Sequence, residues 1–349
     1  MPNTHERAAG MCTSSRQTGF RMNRADRFRF PAWTLAAVGV AAVMLWQPAR
    51  AQEPAWPNRT VTVIVPFAAG GNTDTMARMA SQKLADVFKQ SFVIDNKVGA
   101  GGAIAANYVL QQPADGYTLF FAAAPQIAVL PYVQKVSYDP IKDFAPVSVF
   151  GTGPFILAIS SAIPATTVQE FVAYAKQRKL NYGSGGTGTV GHLSGALFVA
   201  RAGIDAVHVP FRGGAPAMAA LLGGQVEMYF GNASEIIPHV ESGKARVLAV
   251  AADKRLTQLP DVPTVSETYP NFSLNAWNGF LVRTGTPRPI IDRLAKEVIA
   301  AAKDPAIVAQ LTKLGIEPNG TTPEETAAQI AREQAQFDTA IKSAGLQQQ

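Results

Sequence analysis

The stretch Asn181–Gly195, NYGSGGTGTVGHLSG, satisfies G-x-G-x-x-G twice, as Gly183, Gly185, Gly188 and as Gly186, Gly188, Gly191. The run Leu180–Tyr182 before it reads as a strand and the segment to about Ala202 as a helix, so the stretch is a strand, a glycine turn and a helix, a unit of α/β architecture. Its glycines, with Ser184, Thr187 and Thr189, expose backbone N–H groups at the positive end of a helix, which receives an anion without a charged side chain. The same unit occurs upstream: strand Thr60–Phe67 (TVTVIVPF), the turn AAGGNTD with Gly70 and Gly71, and a helix capped by Asn72 or Thr73 and running to about Phe88. Two such cradles either hold the two ends of one anion across a cleft or are tight strand-to-helix turns and nothing more. The residues alone leave both readings open.

Outward from these units, β-branched runs alternate with alanine-rich amphipathic segments. Strands are expected at Phe92–Asp95, Tyr117–Ala123, Ala206–Phe211, Gln225–Phe230 and Arg246–Ala252, with helices between them at Ala103–Gln111, after Thr167 and at Ala215–Leu222. Two long apolar runs differ from the rest: Ala145–Ser160, interrupted by Gly151, Gly153 and Pro154, and Phe272–Val282. The first reads as a strand pair or a crossover at a domain boundary, and the second as the chain returning to the first domain. Helices are expected at Pro287–Lys303, Asp304–Leu314 and Pro323–Ala344, the last opened by TTPEE with a capping residue, a proline and acids in the first turn.

The formal charge of +6 over 349 residues suggests an anionic macromolecular partner until the charges are located. Residues 1–51 hold 7 of the 31 basic and 2 of the 25 acidic residues, leaving +1 for the rest of the chain. Those residues have the layout of a secretory signal peptide: an arginine-rich stretch, an apolar run Pro31–Trp46, and QPARA with cleavage expected after Ala51. Met22 stands directly before the basic region, so residues 1–21 read as a start-site artefact. Cys12 is the sole cysteine and falls in this leader, which excludes disulfides, thiolate metal sites and cysteine nucleophiles from the exported chain. His192, His208 and His239 lack ligand spacing, so no metal is expected.

A dinucleotide reading of the glycine loop is weak. Asp205, which would bind a ribose, precedes the second strand instead of ending it, and an exported enzyme meets no nicotinamide pool. A hydrolase reading fails because neither Ser184 nor Ser194 sits in G-x-S-x-G, and His192 is only two residues from Ser194 on the helix. No cofactor is expected.

In order along the chain, VPFAAGGNTD, NKVGAGG, PADGYTL, YDPIKDFAPVS, the glycine loop, VHVPFRGGAPAMAALLGGQVE, SGKARVLAV, LPDVPTVSE and TPEE resemble the Bug family of periplasmic solute receptors of tripartite tricarboxylate transporters, over residues 54–345. The resemblance implies a type II periplasmic-binding-protein fold: two α/β domains joined by two crossover strands, closing over a ligand. Domain 1 would comprise 55–153 and 277–349, and domain 2 residues 154–276.

It also implies that a ligand carboxylate is held by loop amides and hydroxyls. The loop Phe67–Asp74, with Ala69, Gly70, Gly71 and Thr73, would form one wall, and Ser184, Gly185, Gly186, Thr187 and Gly188 the other. Thr187→Val is accordingly expected to weaken binding. His192 follows the loop where the family commonly has histidine, and either contacts ligand or buttresses the loop; Gly191 replaces a more usual polar residue. Arg212 either complements an acid or is an exposed residue on the hinge side. Asn232 matches a common cleft asparagine, and Gly231 stands where many members have aspartate, which counts against an amino-acid ligand. Trp277 and Phe67 either pack on the ligand body or fill the domain interface. The function implied is a monomeric, non-enzymatic periplasmic receptor that delivers a small carboxylate to integral-membrane transporter subunits. Alternatives are a sensor acting without uptake and, in last place, an exported dehydrogenase.

Overall fold

The computed structural model describes residues 56–240 and 243–347. The expected signal peptide, its cleavage after Ala51 and Cys12 lie outside these residues. In the first lobe, β1 (Val61–Val65) turns through glycines into α1 (Asn72–Phe88), and β2 (Phe92–Asn96), α2 (Ala103–Leu110), β3 (Thr118–Ala123) and the short α3 (Leu130–Val133) follow. β1 lies between β2 and β3, parallel to both, with Val61 beside Phe92 and Thr62 beside Thr118. The sequence VTVIV has no polar alternation except Thr62 because both faces of this strand are covered. α1 presents Met76, Ala77, Ala80 and Leu84 to the sheet. Met76 and Leu84 are fully buried, each contributing about 1.5–3 kcal/mol relative to exposure.

The apolar run read as a crossover is one continuous strand, β4 (Phe144–Ser160), with irregularities at Pro146/Ser148, Val149/Gly151 and Leu157/Ala158 that bend it without ending it. It carries the chain into the second lobe: α4 (Val168–Ala175), β5 (Leu180–Ser184), α5 (Val190–Ala202), β6 (Ala206–Pro210), α6 (Gly214–Leu222), β7 (Met228–Asn232), α7 (Ala233–Val240) and β8 (Ala245–Ala251). β9 (Asn275–Arg283) returns to the first lobe, where α8 (Arg288–Ala302), α9 (Pro305–Lys313), β10 (Glu317–Pro318) and α10 (Pro323–Ser343) complete the chain.

The order is β2-β1-β3-β9-β4-β7-β5-β6, with β8 and β10 also paired to β4. β4 belongs to both halves: its first part pairs with β9 and its second part with β7 and β8, all antiparallel. The segment leading into β9 touches the second lobe through Leu274 N–H to Ala251 O, at 2.9 Å. Two strands therefore connect two α/β lobes. α10 opens on a capping box between Thr322 and Glu325, as TTPEE predicts, and packs on β4, α5 and the helical turn Pro125–Val129. Among the described residues no helix is long and apolar enough to cross a membrane.

Candidate functional site

The two glycine turns lie at the C-terminal ends of β1 and β5, where open α/β sheets place their ligands. They meet at a cleft with about 480 Å³ of empty space counted to its mouth. The cleft fits a small, slender molecule. Gly71, Asn72 and Thr73 at the start of α1 line one side, and Gly185, Thr189 and Val190 at the start of α5 the other. Phe67, Phe155, Tyr229 and Phe230 give it an apolar body. Asn278 on β9 closes the floor; its side chain is 2% exposed, and its Oδ1 is buried without a hydrogen-bond partner. A buried acceptor of this kind costs about 1–3 kcal/mol.

The N-termini of the two helices are capped differently. Thr189 caps α5 in the ordinary way, accepting the His192 N–H at 3.3 Å. α1 has Gly71 at its cap position, not Asn72 or Thr73, and no side chain of its own turn caps it. The partner comes from the other lobe: Glu235, on α7, accepts the Asn72 N–H through Oε1 at 3.0 Å. Its Oε2 accepts the Tyr229 hydroxyl at 2.7 Å and the Asn232 N–H at 3.2 Å. Burial, first, and Glu235, second, hold the Tyr229 phenol protonated far above its usual range, so it donates throughout. Beside this pair Ser234 Oγ donates to Asn72 Oδ1 at 2.7 Å, and Ala68 N–H donates to Arg212 O at 3.0 Å, so the lobes are joined by several hydrogen bonds around the cleft.

The residues singled out in the sequence divide into three groups. Phe67, Gly71, Thr73, Gly185 and Asn232 line the cleft. Phe67 and Gly185 also border a second, outer cavity, which Gly186, Thr187 and Arg212 line instead; Thr187 and Arg212 are exposed there. The remaining residues line neither cavity. Ala69 and Gly70 are exposed at the outer turn. Asp74, 2% exposed, accepts the Gly70 N–H, both nitrogens of an Arg78 fork and Asn96 Nδ2. Burial opposes its charge, but Arg78, Gly70 and Asn96 outweigh that and hold its carboxyl below the ordinary range. Gly188 N–H donates to His192 Nδ1 at 3.2 Å, so His192 buttresses the loop. Trp277 is fully buried and points at α10.

Both departures from the family pattern have steric causes. A Cβ at Gly191 would stand 2.6 Å from Phe230 O and 3.3 Å from the Phe155 ring. A Cβ at Gly231 would stand 2.1 Å from the Tyr229 ring, the same ring that donates to Glu235.

One constellation was not read from the sequence. Ser184 Oγ lies 2.6 Å from His208 Nε2, and the His208 ring stacks on His192 at 3.9 Å. The pairing of β5 with β6 sets Tyr182 beside His208, which brings the imidazole to Ser184. Ser184 is fully buried and also bonds Gly186 N–H and O, both at 3.1 Å, so the pair shapes the glycine turn. Among the described residues no group of His, Cys, Asp and Glu is arranged to hold a metal.

Two α/β lobes, two connecting strands and a cleft between helix N-termini define a solute-binding protein of the periplasmic type. The chain belongs to the tripartite tricarboxylate transporter family receptors, whose model matches residues 76–346. It is 31% identical over 316 residues to protein BugT of Bordetella pertussis, covering 89% of this chain and 97% of that one. Rpa4515 of R. palustris, solved with adipate, superposes with a TM-score of 0.81 at 36% identity, covering 83% of this chain and 98% of that one. MatC from Rhodopseudomonas palustris, with bound malate, superposes at 0.78 with 33% identity, covering 82% and 100%.

Proposed function

We propose that this chain is a periplasmic receptor that captures a small carboxylate in the cleft and delivers it to the membrane subunits of a tripartite tricarboxylate-type transporter. The observation that carries the reading is the convergence of two helix N-termini, from different lobes, on one small cleft floored by the unpartnered Asn278. Family membership and the adipate and malate bound by two relatives support it. Gly185 and the first-turn N–H groups of Val190 and Gly191 receive the carboxylate, Thr73, Asn232 and Asn278 meet its other polar groups, and Phe67 and Phe155 cover its body. Domain 1 comprises 55–153 and 277–349 and domain 2 residues 154–276, so that β4 and β9 flex as the lobes close. Closure follows only if the ligand binds the closed form more tightly than the open one. The receptor works as an exported monomer cleaved after Ala51, and it is not an enzyme: Ser184 is fully buried and its hydroxyl is bound within the glycine turn.

Thermal shifts of the purified protein across a panel of carboxylates test this. At least one acid raises the midpoint in proportion to the logarithm of its concentration. No shift from any acid would end the proposal. Uptake of that acid is lost in a deletion strain; intact uptake with the transporter expressed would point to sensing instead.

A further inference from the structure

The charge inside the cleft is negative. Glu235 is the one charged side chain among the described residues lining it, and no Lys, Arg or His lines it. Its carboxylate is fixed from four directions, by the N–H groups of Asn72 and Asn232, the Tyr229 hydroxyl and, at 3.4 Å, Asn232 Nδ2. It sits against the lobe junction closely enough that a Cβ on Gly214 would meet Oε1 at 1.9 Å. It cannot swing out of the way without breaking the cap of α1. Oε1 accepts one protein hydrogen bond and retains capacity for another. The Asn278 side chain lines the same cleft, with its Oδ1 buried and without a donor.

We propose that Glu235 selects the ligand: the cleft takes an acid with a single ionised carboxylate and, at its other end, a hydrogen-bond donor, either an ammonium or a hydroxyl group, set against Glu235. This rests on the carboxylate-receptor reading and narrows it. The ligand carboxylate goes to the amides at the start of α5, since Glu235 already occupies the start of α1. A second carboxylate would stand beside an immobile negative charge in a site with no cation, where like charges repel strongly. A donor there instead makes a charge-assisted bond to Glu235. Gly231 had counted against an amino-acid ligand; Glu235 supplies the acceptor that an aspartate at 231 would have offered. The dicarboxylate adipate, bound by a relative, is then a poor ligand here.

The test is calorimetric titration of the purified protein with straight-chain acids of three to six carbons, in matched sets ending in carboxylate, hydroxyl, ammonium or methyl. At the best length, the hydroxyl or ammonium acid binds at least about tenfold tighter than the dicarboxylate. In Glu235→Gln the gap closes to within about threefold, because the amide keeps the size of the side chain and loses its charge. A dicarboxylate that binds as tightly as both donor acids, or a preference unchanged in Glu235→Gln, overturns the proposal while leaving the receptor reading in place. If Glu235→Gln does not fold, the wild-type order of affinities decides alone. Failure of every acid to bind removes the receptor reading itself.

Discussion

Trp277 Nε1 donates to Glu333 Oε2 at 2.6 Å, tying the returning strand β9 to α10. Glu333 also accepts from Gln329, and burial raises its pKa although both bonds pull the other way. The indole therefore holds a half-buried carboxylate and does not line the cleft. Trp277→Phe is expected to cost about 2–4 kcal/mol, combining lost volume with a lost hydrogen bond. Carboxylate affinity should stay within about twofold. Denaturant unfolding and titration on the same preparation check both halves, and a large loss of affinity with unchanged stability would return Trp277 to the ligand.

Asn278 is predicted to behave in the opposite way. Its Oδ1 has no partner, so Asn278→Leu removes an unsatisfied buried acceptor and leaves the stability of the protein unchanged or higher by about 1 kcal/mol. The same substitution removes a polar contact from the cleft floor and should weaken ligand by roughly 5- to 30-fold. Thermal midpoints without ligand and dissociation constants with it separate the two effects. A destabilised variant with unaltered affinity would assign Asn278 to the core.

Much of the architecture was legible in the sequence because its signals are local. The strand, glycine turn and helix at 60–88 and at 180–202, the two long apolar runs and the TTPEE cap depend on neighbours within a few residues. The strand expected from Gln225 begins later, at Met228. α7 went unread because it is eight residues long and carries Pro238, so its period is short and its proline argues against a helix. Glu235 went unread with it: its partner, Asn72, is 163 residues upstream, and no spacing rule joins an acid on one lobe to a helix start on the other. The cleft glycines were named because two turns look alike, but which residues of each turn face inward depends on backbone direction. Thr187 and Thr189 are equivalent in the sequence and stand on different cavities in the fold.

The stacked histidines predict a pH response. Burial pushes His192 down to about 4, and burial together with the neighbouring His192 pushes His208 down to about 3, from an ordinary 6.5. Both are neutral in the folded protein at pH 7. Below 6.5 the unfolded chain takes up protons that the folded protein refuses, so stability falls as pH drops from about 6.5 toward 4. By pH 5 the pair should cost roughly 2–4 kcal/mol. Asp74, whose carboxyl is held below its ordinary 3.8, contributes stability that is lost only at lower pH and does not obscure this window. Chemical unfolding at pH 7.5, 6 and 5 should show the decline, and His208→Gln should reduce it by about half. An equal slope in the variant would place the protons elsewhere.

Thr187 and Thr189 decide which cavity holds the ligand. Thr189 lines the inner cleft, 6% exposed, and its Oγ1 donates to Gly186 O at 2.7 Å while capping α5. Thr189→Val removes the cap and the bond to Gly186 O that shapes the cleft turn, costing about 1 kcal/mol of stability and roughly tenfold in affinity. Thr187 is exposed on the outer cavity, so Thr187→Val should change stability by less than about 0.5 kcal/mol and leave affinity unchanged. Titration of both variants with the same acid measures the contrast. Thr189→Ser restores the hydroxyl and should recover most of the affinity, which separates the polar contact from the packing of the methyl group. Weakened binding in Thr187→Val with full affinity in Thr189→Val would move the ligand outward, to the amides of Gly186 and the guanidinium of Arg212, where a dicarboxylate meets a cation and Glu235 no longer governs the choice.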